Sequence, residues 1–390
     1  MRQAVRRLGL AALALAAQAP AIPTRRLGAP EAEFGEPFTA VTSVRELRDG
    51  RVLVADARDK TLQLIDLKAG TASRIGREGA GPGEYGIPQR LVALLADTTL
   101  LFDPRNARVM VILPDGTPGP LLRIPELDPA THGGPRAADL NGRFYYEVPR
   151  PGLPGDLYES SHVDVIRLDR ATRRVDTVAT LALPDRLSTG VRVLPGGMVR
   201  QFTNKPLAPQ DVAAFAADGR VAIVRAKDYR VEWLAPRGAR VQGPPTPYEP
   251  VRITSAEREA FLASQTRPGN IILRGPAAAA SGPGAPRAAP ISRGSDPFAD
   301  QPVDWPDHKP PFLAGAAVVA PDGRLWVLKT RPHDRPVPTY DVFDGSGRLV
   351  ERIALPKRTR LAGFGRGVAY LARADEDDLL WLGRYSLQNP

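Results

Sequence analysis

Asp49-Gly50-Arg51-Val52-Leu53-Val54 puts a polar turn directly before a short apolar run, and the arrangement returns along the chain. Asn141-Gly142-Arg143 leads into Phe144-Tyr145-Tyr146, Asp218-Gly219-Arg220 into Val221-Ala222-Ile223-Val224, and Asp322-Gly323-Arg324 into Leu325-Trp326-Val327. A looser copy, Asp97-Thr98-Thr99, precedes Leu100-Leu101-Phe102. Asn-Gly and Asp-Gly supply the positive φ that a tight hairpin turn needs. Each copy therefore reads as the hairpin joining the first two strands of a small sheet.

A second apolar run and a second turn follow each hairpin, as in Leu62-Gln63-Leu64-Ile65-Asp66 before Gly70 and Val231-Glu232-Trp233-Leu234 before Gly238. Four strands per unit result, with units near residues 39–76, 87–124, 138–183, 212–244, 312–355 and 358–388. The uninterrupted period is roughly 45 residues, that of a propeller blade. A lone four-stranded sheet leaves faces uncovered, so such units stack around a ring until it closes. The fold class expected is all-β: a six-bladed β-propeller of four-stranded antiparallel blades, one domain over residues 22–390. Closure needs a latch, expected from Ile22 to Leu27 as a strand added to the last blade.

Composition agrees, because 41 Pro and 36 Gly in 390 residues break the chain into short segments and work against long helices. Met1 to Ala21 runs from Arg2, Arg6 and Arg7 through the apolar Leu8–Ala17 into small residues, the layout of a signal peptide. As a helix that apolar run would span only about 15 Å, half a bilayer's hydrocarbon thickness, so export without a stable membrane span is expected. There is no Cys, which excludes disulfides, thiolate metal sites and a Cys-linked lipid anchor. A periplasmic or secreted single copy is the expectation. The formal charge of +10 is scattered among acids with no basic run, which argues against a nucleic-acid partner.

Gly76-Arg77-Glu78-Gly79-Ala80-Gly81-Pro82-Gly83-Glu84-Tyr85, followed by Pro88, resembles the blade-linking segment of NHL-repeat and TolB-like six-bladed propellers. Phe102-Asp103-Pro104-Arg105-Asn106-Ala107-Arg108-Val109 is similar to that family's strand-Asp-x-x-Asn-x-Arg-strand hairpin, and Val54-Ala55-Asp56-Ala57-Arg58-Asp59-Lys60 echoes it. The resemblance is good over residues 39–125 and loose beyond. It implies a fold, that of exported bacterial propellers, and not a reaction. The glycine-rich loop lacks the Gly-Lys-Ser/Thr ending of a phosphate cradle and reads as a blade-to-blade turn.

Strand order sorts the connections by face. First-to-second and third-to-fourth strand turns open on one side and are short. The other side collects the long connections at 76–88, 149–161, 184–211, 245–311 and 329–338, and function usually resides in such loops on a rigid scaffold. Arg58, Arg105, Lys227, Lys329, Arg331 and His333 stand there as candidate ligand-binding residues. Asp56, Asp103 and Asp228 are the candidate ligands for one divalent cation in the central channel, the alternative being that such charges only solvate turn tips. Within the insertion 250–311, Thr254 and Glu257 have capping-box spacing and mark a short helix at about 254–265, either a lid or a surface brace. Residues 275–297, rich in Ala, Gly, Pro and Ser, read as a flexible loop.

His132, His162, His308 and His333 form no metal-binding spacing, and no Gly-x-Ser-x-Gly elbow is present. The leading expectation is a non-catalytic scaffold that binds a protein, peptide or small ligand at its loop-rich face. The alternative is a metal-dependent hydrolase or lyase, similar to lactonase propellers, acting at the central channel.

Overall fold

A computed structural model describes residues 22–150, 162–184, 186–194, 197–266 and 305–388, of which 186–194, 197–204 and 265–266 enter as backbone only. The leader 1–21 and the loop 275–297 lie outside the described residues. The repeated turns form as read. Gly50, Gly219 and Gly323 adopt φ of +90°, +88° and +81°, closing hairpins between the first and second strands. The arginine of the motif has its own role. In Asp49/Arg51, Asp218/Arg220 and Asp322/Arg324 the carboxylate accepts the arginine's backbone N–H with one oxygen and its Nε, at 2.7 Å, with the other. Aspartate thus holds both ends of a two-residue turn.

Six antiparallel sheets follow in chain order. The first blade pairs Val41–Glu46, Val52–Asp56, Thr61–Asp66 and Thr71–Arg74, and the second Arg90–Ala93, Thr99–Asp103, Arg108–Ile112 and Pro118–Leu122. The third comprises Ala137–Ala138, Phe144–Pro149, His162–Asp169 and Arg174–Ala182, and the fourth Val212–Phe215, Val221–Arg225, Arg230–Leu234 and Arg240–Gln242. The fifth contains Phe312–Val319, Leu325–Lys329, Thr339–Phe343 and Leu349–Ala354. The sixth takes only Thr359–Gly365, Val368–Ala374 and Leu380–Ser386 from its own stretch of chain.

Between every two neighbouring blades lies one apolar cluster, including one between the sixth and the first, so the ring is closed by packing. Phenols and indoles cross these gaps because a ring fills the space while its polar tip finds a partner on the next sheet. Tyr229 Oη donates to Asp341 at 2.7 Å, Trp233 Nε1 to the Asp344 carbonyl at 2.9 Å, and Tyr145 Oη to the Gly219 carbonyl at 3.2 Å.

The latch differs from expectation. Ala32–Glu33, with Phe34 and Phe38 beyond it, pairs with Leu380–Ser386 and supplies the missing outer strand of the sixth blade. Thr24–Arg26, within the expected latch, passes on to the fifth blade and runs parallel to Leu349–Ala354. The sixth blade needs one strand, the residues nearest its edge provide it, and those before them reach the neighbouring blade.

Two insertions stand on the loop-rich side. The hairpin Arg186–Leu194/Gly197–Asn204 lies between the third and fourth blades. The second insertion is pinched at its base where Val251–Arg252 pairs with His308–Lys309. Within it the helix Ser255–Thr266 forms, one residue beyond the sequence bounds. Half of the capping box is made: the Glu257 N–H reaches Thr254 Oγ1 at 3.4 Å, while the Glu257 carboxylate turns away to the fifth blade. Among the described residues no helix is long and apolar enough to cross a membrane.

Candidate functional site

Asp56 and Asp103 end the second strands of the first and second blades and are buried. Asp56 Oδ2 accepts the N–H groups of Thr39 and Ala40 at 2.9 and 2.8 Å, and its Oδ1 those of Arg58 and Asp59 at 2.9 and 3.0 Å. Asp103 Oδ2 accepts from Gly86 N and Asn106 Nδ2 at 2.9 and 2.8 Å, and Oδ1 from Ile87 N at 2.9 Å. Each carboxylate ties its blade's second turn to the incoming connection. A cation would have to displace these N–H donors, so neither residue fits a metal ligand, and Asp228 is paired with Arg230. Among the described residues no three His, Asp or Glu side chains form a group that could hold a metal ion. The oxygens of Asp56 and Asp103, expected as ligands of a channel cation, face N–H donors.

The fourth blade inverts the brace. Arg225 stands at the end of the second strand, and Asp211, on the incoming segment, accepts Ala226 N at 3.0 Å and Arg225 Nη1 at 2.9 Å. Burial alone would lower the Arg225 pKa, but hydrogen bonds to Glu232 and Asp211 more than offset it and raise it. Around this pair lies a cavity of about 380 Å³, open on the loop-rich face and lined also by Lys227, Asp228, Arg230 and Gln242. The structure thus brings the expected Lys227 and Asp228 together. Arg230 Nε is buried in the same wall with no hydrogen-bond partner.

The other expected residues are dispersed. Arg58 is exposed on the first blade's turn, and Arg105 is exposed and 3.4 Å from Glu78. Lys329 lies 3.9 Å from Asp341. His333 meets the helix: its backbone N–H donates to Glu257 Oε1 at 2.9 Å and its Nδ1 lies 3.2 Å from the same oxygen. Lys309 Nζ pairs with Glu257 and donates to the Arg331 carbonyl at 2.9 Å. Phe261 packs edge-on against Trp305. These contacts brace the helix onto the fifth blade's loop.

The sequence reading missed Arg90, Arg136 and Arg360, which lie at the start of the innermost strands of the second, third and sixth blades: Arg90 begins its strand, Arg136 precedes its own and Arg360 is the second residue of its own. Burial, then Arg136, pushes the Arg90 guanidinium down to about 9, and burial lowers Arg331 and Arg360. The place shared by Arg90, Arg136 and Arg360, within two residues of the start of a first strand, was the available signal.

No family model matches the chain. One curated protein, UvrABC system protein A of Agrobacterium fabrum, is 31% identical over 130 residues, which are 33% of this chain and 12% of that protein. The chain spans about an eighth of that relative's length, and nothing of its activity is carried over. Similar solved structures include a gluconolactonase from Xanthomonas campestris at 12% identity (94% of this chain, 97% of that one, TM-score 0.41). A catalytically inactive virginiamycin B lyase from Staphylococcus aureus is 10% identical (91% and 87%, TM-score 0.39). A DUF4221 family member from Bacteroides vulgatus is 9% identical (93% and 98%, TM-score 0.49). The six-bladed architecture rests on the sheet order and ring closure described above.

Proposed function

We propose that this chain is an exported propeller scaffold that binds a small polar ligand or a peptide end, without turnover, in the cavity between its third and fourth blades. The observation that carries the reading is that cavity. Its volume of about 380 Å³ falls in the ligand-pocket range, and its wall combines an unpartnered Arg230 Nε with cations and carboxylates. Mixed charge of this kind complements a zwitterion or an amide-rich ligand. The basic and apolar character of residues 1–21 supports export. The metal-dependent hydrolase or lyase alternative needs free carboxylates, and Asp56 and Asp103 are fully engaged.

Native mass spectrometry on gently purified full-length protein tests the reading by identifying a retained ligand. Binding of that ligand should fall about tenfold, roughly 1.4 kcal/mol, in Lys227→Ala and Asp228→Ala, whose melting temperatures stay at the wild-type value. Unchanged affinity in both variants would remove the cavity as the site.

A further inference from the structure

A half-buried guanidinium is normally compensated by an acid, because an isolated buried charge is costly. Nearly all of this chain's half-buried arginines obey that rule. Apart from Arg90, Arg331 and Arg360, each of those whose side chains are described has a carboxylate within 4.0 Å. The three exceptions are not scattered. Arg90 and Arg360 sit at the loop-face end of innermost strands, and Arg331 lies in the fifth blade's loop, with Tyr340 near both it and Arg360.

Their described hydrogen bonds leave most donors free. Arg90 Nη1 reaches the Gly134 and Pro135 carbonyls at long distances of 3.4 and 3.3 Å, Arg360 Nη2 the Val41 carbonyl, and the Arg331 side chain makes none that is described. A guanidinium has five N–H donors, and none belonging to these three residues is buried without a partner, so the free ones reach solvent. The nearby acids are already engaged: Glu147 with Arg136 at 3.0 Å, and Asp56 with backbone N–H groups. In a ring of six, the gap beside Arg90, between the second and third blades, lies opposite that of Arg331, between the fifth and sixth, while Arg360 reaches across the next gap to Val41 of the first blade. A bulge in the fifth blade's innermost strand, between Phe312 and Ala317, adds an apolar edge where Leu313 is exposed.

We propose that the mouth of the central channel on the loop-rich face is a binding site for a small oxyanion carrying more than one negative charge, held by Arg90, Arg331 and Arg360. Planar guanidinium forks match carboxylate and phosphate oxygens, and charges on opposite sides of the mouth favour a multivalent anion over a single carboxylate. The site is separate from the cavity between the third and fourth blades, so either assignment can fail while the other stands.

Isothermal titration of the full chain with citrate, inorganic phosphate and acetate, in a low-chloride buffer at pH 7, tests it. Saturable one-site binding of citrate or phosphate, tighter than acetate by at least tenfold, is expected; citrate alone or phosphate alone assigns the source of the oxygens. Arg331→Gln, which removes no described side-chain hydrogen bond, should weaken binding at least fivefold with an unchanged melting temperature, and Arg360→Gln should weaken it as well. Absence of saturable binding by both polyanions, or equal affinity in wild type and both variants, overturns the proposal.

Discussion

Replacing Asp103 by Asn separates a brace from a metal ligand. The side chain is fully buried, and each of its oxygens serves the incoming connection and the blade's second turn together. Asn keeps the shape but exchanges one accepting oxygen for an NH₂ group, which must face either Gly86 N and Asn106 Nδ2 or Ile87 N. A hydrogen bond to a charged group contributes roughly 1.5–3 kcal/mol, and leaving a buried donor unmet costs about 1–3 kcal/mol. Taking the lower bound for two lost bonds, Asp103→Asn should lower the unfolding free energy by about 3 kcal/mol. Urea denaturation followed by tryptophan emission reads this as a lower midpoint at an unchanged slope. The loss should be the same in chelator and in added Ca²⁺, because the partners are N–H groups. A change under about 1 kcal/mol, or a loss that appears only when a divalent cation is present, would refute the brace.

Three further perturbations probe the ring, the helix and the latch. A Cβ added at Gly243 would stand 2.2 Å from the Gly347 carbonyl oxygen, backbone against backbone between the fourth and fifth blades, so Gly243→Ala should destabilise by about 1–3 kcal/mol in the same urea assay. Burial alone would raise the Glu257 pKa, but Lys309 and His333 hold it below the usual value of 4.5. A depressed folded pKa means stability that is present above 4.5 and lost as pH falls through the lower folded value. The Trp305 signal, read as wild type minus Trp305→Phe, should therefore be constant from about pH 7 to 5 and change below the usual glutamate range; Glu257→Gln should abolish that response. Deleting residues 1–37 removes the sixth blade's outer strand and the buried Leu27 and Phe34, each worth about 1.5–3 kcal/mol. The truncated chain should melt well below the full one, and an equal melting temperature would show that the ring closes without this strand.

The blades were legible because their signals are local: an Asp-Gly or Asn-Gly pair dictates a hairpin whatever lies elsewhere. The latch was not, since Thr24–Arg26 and Ala32–Glu33 are too short to show alternation and their partners stand more than three hundred residues away. Glu257 shows the same divide. Its spacing from Thr254 announced the helix start, but its carboxylate serves His333, a contact 76 residues apart that no spacing rule reports.

Asp56 and Asp103 mark a different boundary. Their matching positions in two blades were readable, but a carboxylate that receives N–H groups and one that awaits a cation have the same letter in a sequence. Geometry alone separates them. The converse holds for Arg90, Arg136 and Arg360, where the letter and the position at the head of the first strand were both visible. What sequence could not supply was pairing: Arg136 has Glu147 at 3.0 Å, while Arg90 and Arg360 have no carboxylate within 4.0 Å. A propeller repeats its positions, so the residue that departs from its counterparts in partner rather than in type is where function separates from scaffold.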